Sequence, residues 1–239
     1  MSNKTGLKMG LGKWMIVLSL VIISVFASMV FSRLSRYSQA LEDLSLSLSQ
    51  YDRKGSEKGL ESLKESYASF SNLGLQYFAD KYLFKDMYKY EANIAHVNED
   101  YEKAIDLLRG HDDDYEALNM RGVAKFRILY AAYHSEAAGK DQKIKEDILR
   151  RVLEEVKPDF ENAVKKGPGP TYDFDSAYNY DLTSDPKLAK MALEAIRPPP
   201  RFILGIRVEG KGPRIPGRVN PDKRLDDPMP GSGDSRKKG

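Results

Sequence analysis

The 239-residue chain contains no cysteine, which excludes a disulfide framework, cysteine-bearing zinc sites, thiol catalysis and a cysteine-linked lipid anchor. Histidine is scarce: His96, His111 and His134 are the three in the chain. They stand outside any two-histidine metal spacing such as H-E-x-x-H, and none accompanies a nucleophile motif. Phosphate-cradling G-x-x-x-x-G-K-[ST], dinucleotide-binding G-x-G-x-x-G and the G-x-S-x-G elbow are all missing, so nucleotide hydrolysis, dinucleotide binding and an elbow serine have no motif support. A net charge of only +3 gives no support to a nucleic-acid binder. The remaining absence is local. Residues 1–36 hold five basic side chains and no acidic one, whereas 37–196 hold 22 basic and 30 acidic, and 197–239 hold 11 and five. Three segments with different physical roles follow.

Trp14 to Phe31 is an 18-residue stretch without a charged side chain, close to the length that crosses a hydrocarbon core of about 30 Å at about 1.5 Å per residue. Lys4, Lys8 and Lys13 precede it and Arg33 and Arg36 follow, a bias that favours a cytoplasmic N-terminus. The rival is a cleaved signal, because Val25-Phe26-Ala27 offers a cutting site before Ser28. The apolar run continues four residues past Ala27, as an anchor requires and a cleaved signal does not. An uncleaved anchor is the expectation, with residues 1–13 cytoplasmic, 14–31 in an inner membrane and the body periplasmic or otherwise extracytoplasmic.

From about Ser35 to Ile196 apolar residues recur at helical spacing. Leu34, Leu41, Leu44, Leu48 and Tyr51 follow a seven-residue rhythm, and Leu60, Leu63, Tyr67 and Phe70 resume it after an Arg53-Lys54-Gly55-Ser56 break. A membrane-proximal hairpin over 35–74 is expected, in preference to a dimeric coiled coil through the 34–51 stripe. Farther on, Tyr101, Ala104, Ile105 and Leu108 share one helical face, with Gly110 placed to end the helix. Asp112, Asp113 and Asp114 offer N-cap oxygens, and Asp113 with Glu116 has capping-box spacing. His111 with these aspartates could hold a hard cation, but its position between two helices makes capping the better account. Tyr172–Ser176 opens like a calcium loop and fails at the third ligand, the glycine and the terminal glutamate.

Tyr88 and Ala92 on one helix, then Asp100-Tyr101-Glu102-Lys103-Ala104 and Leu108 on the next, resemble a tetratricopeptide repeat. Glu116–Ala124, with Gly122 in the small position, resembles the start of another; Asp175–Leu182 echoes the Ala117-Leu118-Asn119 pattern 60 residues later. Between them Ile144, Ile148, Val152 and Val156 make one amphipathic stripe, and Lys157-Pro158-Asp159 is similar to the proline that closes a repeat and opens the next helix. The resemblance covers residues 75–196. It implies packing roles for Tyr88, Ala92, Tyr101, Ala104, Leu108, Ala117, Gly122 and Ala124, and a groove that receives a partner's peptide or helix. Tyrosines are plentiful around the repeat; most read as core, while Tyr90, Tyr130 and Tyr133, with Asn119, are the candidate partner contacts.

Residues 197–239 carry eight of twelve prolines and seven of eighteen glycines. They read as a disordered basic tail in which the apolar piece Phe202–Val208, with Phe202 and Ile206, could bind a partner. Its basic residues could instead lie on anionic headgroups. The expected fold class is all-α: a transmembrane helix, a tetratricopeptide-like array of helical hairpins, then the tail. In overall layout, and in Ala117–Ala124 and Asp175–Leu182, the chain resembles the BatC-like and MxaK-like accessory proteins of bacterial von Willebrand-A/MoxR systems. That resemblance implies work in assembling or maturing envelope complexes. The functional expectation is a non-enzymatic scaffold without cofactor or metal that binds a protein partner in the envelope and no nucleic acid. The alternatives are an oligomeric structural subunit self-associating through the 34–51 stripe, and an unrecognised envelope hydrolase.

Overall fold

The computed structural model describes residues 11–168, 174–198 and 200. The tail with Phe202 and Ile206, and Tyr172-Asp173 of the calcium-like sequence, lie outside the described residues. Helices account for nearly all that is described, and no strand occurs among the described residues. Helix α1, Leu11–Ser49, is a single 39-residue element, about 58 Å long at the rise of an α-helix. It runs from the apolar stretch into the Leu34–Leu48 stripe without interruption, since no glycine or proline falls between Lys13 and Ser49. Residues 13–29 are exposed along their whole length, and Val30 is the first with partial cover from the body. One helix among the described residues is thus long and apolar enough to cross a membrane, with a mean hydropathy of 2.5 over its best window.

The chain reverses at Gln50–Asp52, where Tyr51 adopts φ 55°, and α2 follows over Arg53–Ser71. The two helices pack antiparallel on Leu44, Leu48, Leu63 and Phe70, all buried. The expected break at Arg53–Ser56 is therefore displaced: Gly55 and Gly59 lie within α2. A Cβ at Gly59 would stand 2.9 Å from the Leu44 backbone, so glycine there lets the two helices close up, while one at Gly55 would meet the Asp52 carboxylate of the turn and Ser47 Oγ.

After α2 come a single turn α3, Gln76–Phe78, and a π turn, Ala79–Leu83. The remaining helices arrive in pairs. Helix α4, Met87–Val97, packs on α5, Tyr101–Leu107; α6, Tyr115–Tyr133, packs on α8, Gln142–Arg151, and α9, Lys157–Lys166, with the short α7, Glu136–Lys140, at the corner. Helix α10, Phe174–Thr183, packs on α11, Pro186–Glu194. The first members of successive pairs, α1, α4, α6 and α10, also touch one another in order. A continuous series of cores results. One joins α1, α2 and α4; small clusters join α4, α5 and α6; the largest joins α6, α8, α9 and α11 through Phe126, Leu129, Val152, Val156, Phe160 and Leu193.

Local chemistry sets the boundaries. Asp100, Asp141 and Asp185 cap α5, α8 and α11 by accepting from backbone N–H groups of the first turn, and Gly110 (φ 85°) closes the turn after α5. The cap of α6 falls on Asp114, whose Oδ1 accepts from Glu116 N at 2.9 Å and Ala117 N at 3.3 Å, and not on Asp113, which is exposed beside Lys166. Pro158 stands in the first turn of α9, as expected of a helix-opening proline. It starts no new pair, because α8 passes into α9 through a π turn over Val152–Val156, with Lys157 N donating to Val152 O. Proline lacks an N–H and crowds the carbonyl four residues back; the wider π turn absorbs both effects and lets one long helix face α6.

Candidate partner-binding face

The seams between the first helices hold an unusual share of buried polar side chains. On α4 these are Lys89, Asn93 and His96, spaced i, i+4 and i+7 so that they share one face; on α6 Asn119; on α10 Ser176, Asn179 and Thr183. Lys89, Asn119, Asn179 and Thr183 each have a hydrogen-bonding or charged partner nearby. Lys89 Nζ lies 2.7 Å from Glu116, 2.8 Å from Asp114 and 3.2 Å from Asp86. Burial lowers the Lys89 ammonium, but hydrogen bonds to Asp114 and Glu116 outweigh it and hold the group well above the ordinary lysine range. Asp114 also accepts from the Tyr88 hydroxyl at 2.7 Å, so a single carboxylate caps α6, fixes Tyr88 and neutralises Lys89.

Asn179 Nδ2 donates to Asn119 Oδ1 at 2.8 Å across the α6–α10 seam. The two residues that echo each other in sequence are neighbours in space. Arg121 and Asp159 form a two-point pair at 3.1 and 2.7 Å between α6 and α9, extended by Lys125 and Asp112. His96 is buried against Tyr101; desolvation, aided by the Arg127 charge, takes its imidazole down to about 4. Arg127 Nε is buried with no hydrogen-bond partner among the described residues.

The repeat-like residues fall where helices meet. Tyr88, Ala92, Leu108 and Ala117 share one cluster with Met120, and Tyr101, Ala104 and Ala124 share another with Ala95. Gly122 lies under the ring of Phe160, where a Cβ would come within 2.5 Å. The candidate contacts are less uniform. Asn119 is buried on Asn179, and Tyr133 is 7% exposed inside the largest core. Tyr130 is half-buried, its hydroxyl donating to Ala195 O at 2.6 Å. Tyr90 packs at the edge of the α1–α2–α4 core, where burial, with Tyr37 nearby, pushes its phenol up to about 12. His111 stacks on Tyr88 with ring centres 3.5 Å apart, and His134 Nε2 lies 2.8 Å from Leu193 O.

Sequence reasoning missed Lys89 and the Arg121–Asp159 pair. A lysine recurring with Asn93 and His96 on one helical face was the available signal for the first. For the second there was none, because the two partners stand 38 residues apart. Chemically these buried amides and the Lys89 cation hold the helices of the array to one another. Among the described residues no group of three or more His, Cys, Asp or Glu is placed to hold a metal ion. In comparisons with family models, curated proteins and solved structures, nothing matches this chain.

Proposed function

We propose that this chain is a membrane-anchored, non-enzymatic scaffold whose tetratricopeptide-like array docks a protein partner on the far side of the membrane from its N-terminus. The observation that carries the reading is the ordered contact of α1, α4, α6 and α10, the first helices of four consecutive pairs. Stacking of that kind creates an extended face from many short elements and suits recognition of a partner's helix or peptide. The lysines before the apolar stretch support an N-in orientation and an exported body. Self-association through the 34–51 stripe has less support, since Leu44 and Leu48 are buried against α2. The partner is then a component of an envelope complex whose assembly or maturation the scaffold serves.

Site-specific photocrosslinking in the native host tests this. Benzoylphenylalanine at Arg127 or Ala131, one turn apart on α6, should give an adduct with one envelope protein, while the same probe at exposed Glu146 or Arg150 on α8 should not. Adducts only between copies of this chain, or equal yields from both helices, would overturn the reading.

A further inference from the structure

Between α2 and α4 the body leaves three aromatic side chains open: Tyr77 is 75% exposed, Phe78 40% and Tyr82 58%. Phe78 and Tyr82 rings lie 5.3 Å apart, and Lys81 Nζ sits 5.7 and 5.3 Å from the ring centres of Tyr77 and Tyr82. The one acidic group among them, Asp80, lies near the Tyr67 hydroxyl, whose pKa it raises. In water such a cluster is an uncompensated apolar surface.

Its height along α1 gives it a purpose. The α1–α2 register is fixed by Gly59 beside Leu44, Gly55 beside Ser47, and Arg33 Nε donating to Ser69 O at 2.9 Å. Carried a few residues past Ser69, the same register brings the chain level with Met29–Phe31, the end of the apolar run. There Gly74 (φ 71°) turns it back. By Leu83 it has climbed to Tyr37, whose hydroxyl donates to Leu83 O at 2.7 Å and whose ring meets Phe84 edge-on at 5.0 Å. The whole Asn72–Leu83 segment thus occupies the level of residues 29–37 of α1, a slab about 12 Å deep at helical rise that straddles the last apolar residue.

That is the depth at which aromatic rings and long basic side chains partition between acyl chain and headgroup. We propose that the Tyr77–Tyr82 turn is seated in the interfacial layer of the bilayer that α1 crosses. It then acts as a second, peripheral contact that fixes the tilt and rotation of the helical array above the membrane. The occupant of this surface is lipid, because the patch lies level with the end of the exposed apolar run of α1, and Tyr77 and Tyr82 carry polar tips with the Lys81 cation at their rim. The proposal rests on reading α1 as a membrane span.

The single tryptophan, Trp14, makes a test that separates the two ideas. The full chain is reconstituted in phosphatidylcholine vesicles containing lipid brominated near the headgroup end of the acyl chain, which quenches indole fluorescence on contact. Wild-type emission reports on α1 through Trp14. In a Trp14→Phe background, Phe78→Trp and Tyr82→Trp report on the turn, and Leu46→Trp, exposed on α1 well beyond the apolar run, reports on the aqueous body. Unchanged far-UV dichroism shows that each variant is folded. The expected result is loss of most of the emission from Trp14 and from both turn reporters, with none from the Leu46→Trp variant. Quenching of Trp14 without quenching of the turn reporters overturns the proposal and leaves the span intact. Absence of quenching everywhere removes the span and the proposal together.

Discussion

Replacing Gly122 by alanine distinguishes a glycine required by packing from one that is merely tolerated. At an interior position of a long helix, alanine is favoured over glycine by about 0.8–1.0 kcal/mol, so an uncrowded site would be stabilised by that amount. In α6 the added methyl would stand 2.5, 2.8 and 3.0 Å from three ring carbons of Phe160, where carbon contacts need about 3.5–4.0 Å. Phe160 is fully buried among Val123, Val152 and Val156, so the ring has no free volume to enter and α6 and α9 must part. Overpacking of this size costs about 1–3 kcal/mol. After the propensity gain, the net expectation is a loss of up to about 2 kcal/mol, against a gain of about 0.8–1.0 kcal/mol at an uncrowded site. Phe160→Leu removes the obstructing ring edge. By itself it destabilises, yet combined with Gly122→Ala it should cost less than the sum of the single changes, with a coupling of about 1 kcal/mol. Denaturant unfolding of the detergent-solubilised full chain, followed by far-UV dichroism, measures all four corners of the cycle. Stabilisation by Gly122→Ala, or strict additivity with Phe160→Leu, would refute the packing of α6 on α9 described above.

Other perturbations probe the seams. His96 stays neutral in the folded chain down to about pH 4, while an unfolded histidine protonates near pH 6.5. Because the unfolded state alone gains a proton between those values, the stability that His96 contributes is complete above about pH 6.5 and falls by about 3 kcal/mol as pH drops towards 4. His96→Gln should flatten that part of the stability–pH curve, and equal slopes in both proteins would contradict the burial assigned to His96. Asp159→Ala leaves Arg121 at the α6–α9 contact with only the exposed Asp112 as partner and should lower stability by about 3 kcal/mol; a melting temperature within error of wild type would show that the pair is solvated. Gly59→Ala should weaken the α1–α2 hairpin for the same steric reason as Gly122→Ala weakens α6–α9, since the nearest atom is Leu44 backbone at 2.9 Å. Hydrogen exchange in α2 that remains as slow as in wild type would count against that close approach.

Much of this architecture is legible in the residues because it is written in periodicity. The uncharged run from Trp14 to Phe31, the Leu34–Leu48 stripe and the Tyr101–Leu108 face all reappear as expected kinds of surface, since burying one side of a helix leaves a spacing that survives in sequence. The departures come where one residue type serves two physical ends. Gly55 reads as a turn because glycine permits unusual φ, yet here its missing side chain is what matters. Pro158 reads as a boundary because it breaks hydrogen bonds, and it does open α9, yet a π turn joins α9 to α8. Asp113 has capping-box spacing, but its neighbour Asp114 is the one whose backbone takes the extended cap conformation. The polar seams were the least legible part. Lys89 with its three carboxylates, Asn119 with Asn179, and Arg121 with Asp159 are long-range pairings that spacing alone does not encode. The depth of Tyr77, Phe78 and Tyr82 emerges only once the α1–α2 register is known.

The central claim is that the helical array works on the opposite side of the membrane from the N-terminus, and the cysteine-free chain makes this directly measurable. Single cysteines introduced by Ser2→Cys and by Glu146→Cys, the latter exposed on α8, are treated in intact spheroplasts with a membrane-impermeant maleimide. Labelling of the Glu146→Cys variant, with the Ser2→Cys variant labelled only after the membrane is opened, is the result this account predicts. The reverse pattern, or no labelling of either variant until the spheroplasts are lysed, would place the array in the cytoplasm and contradict it.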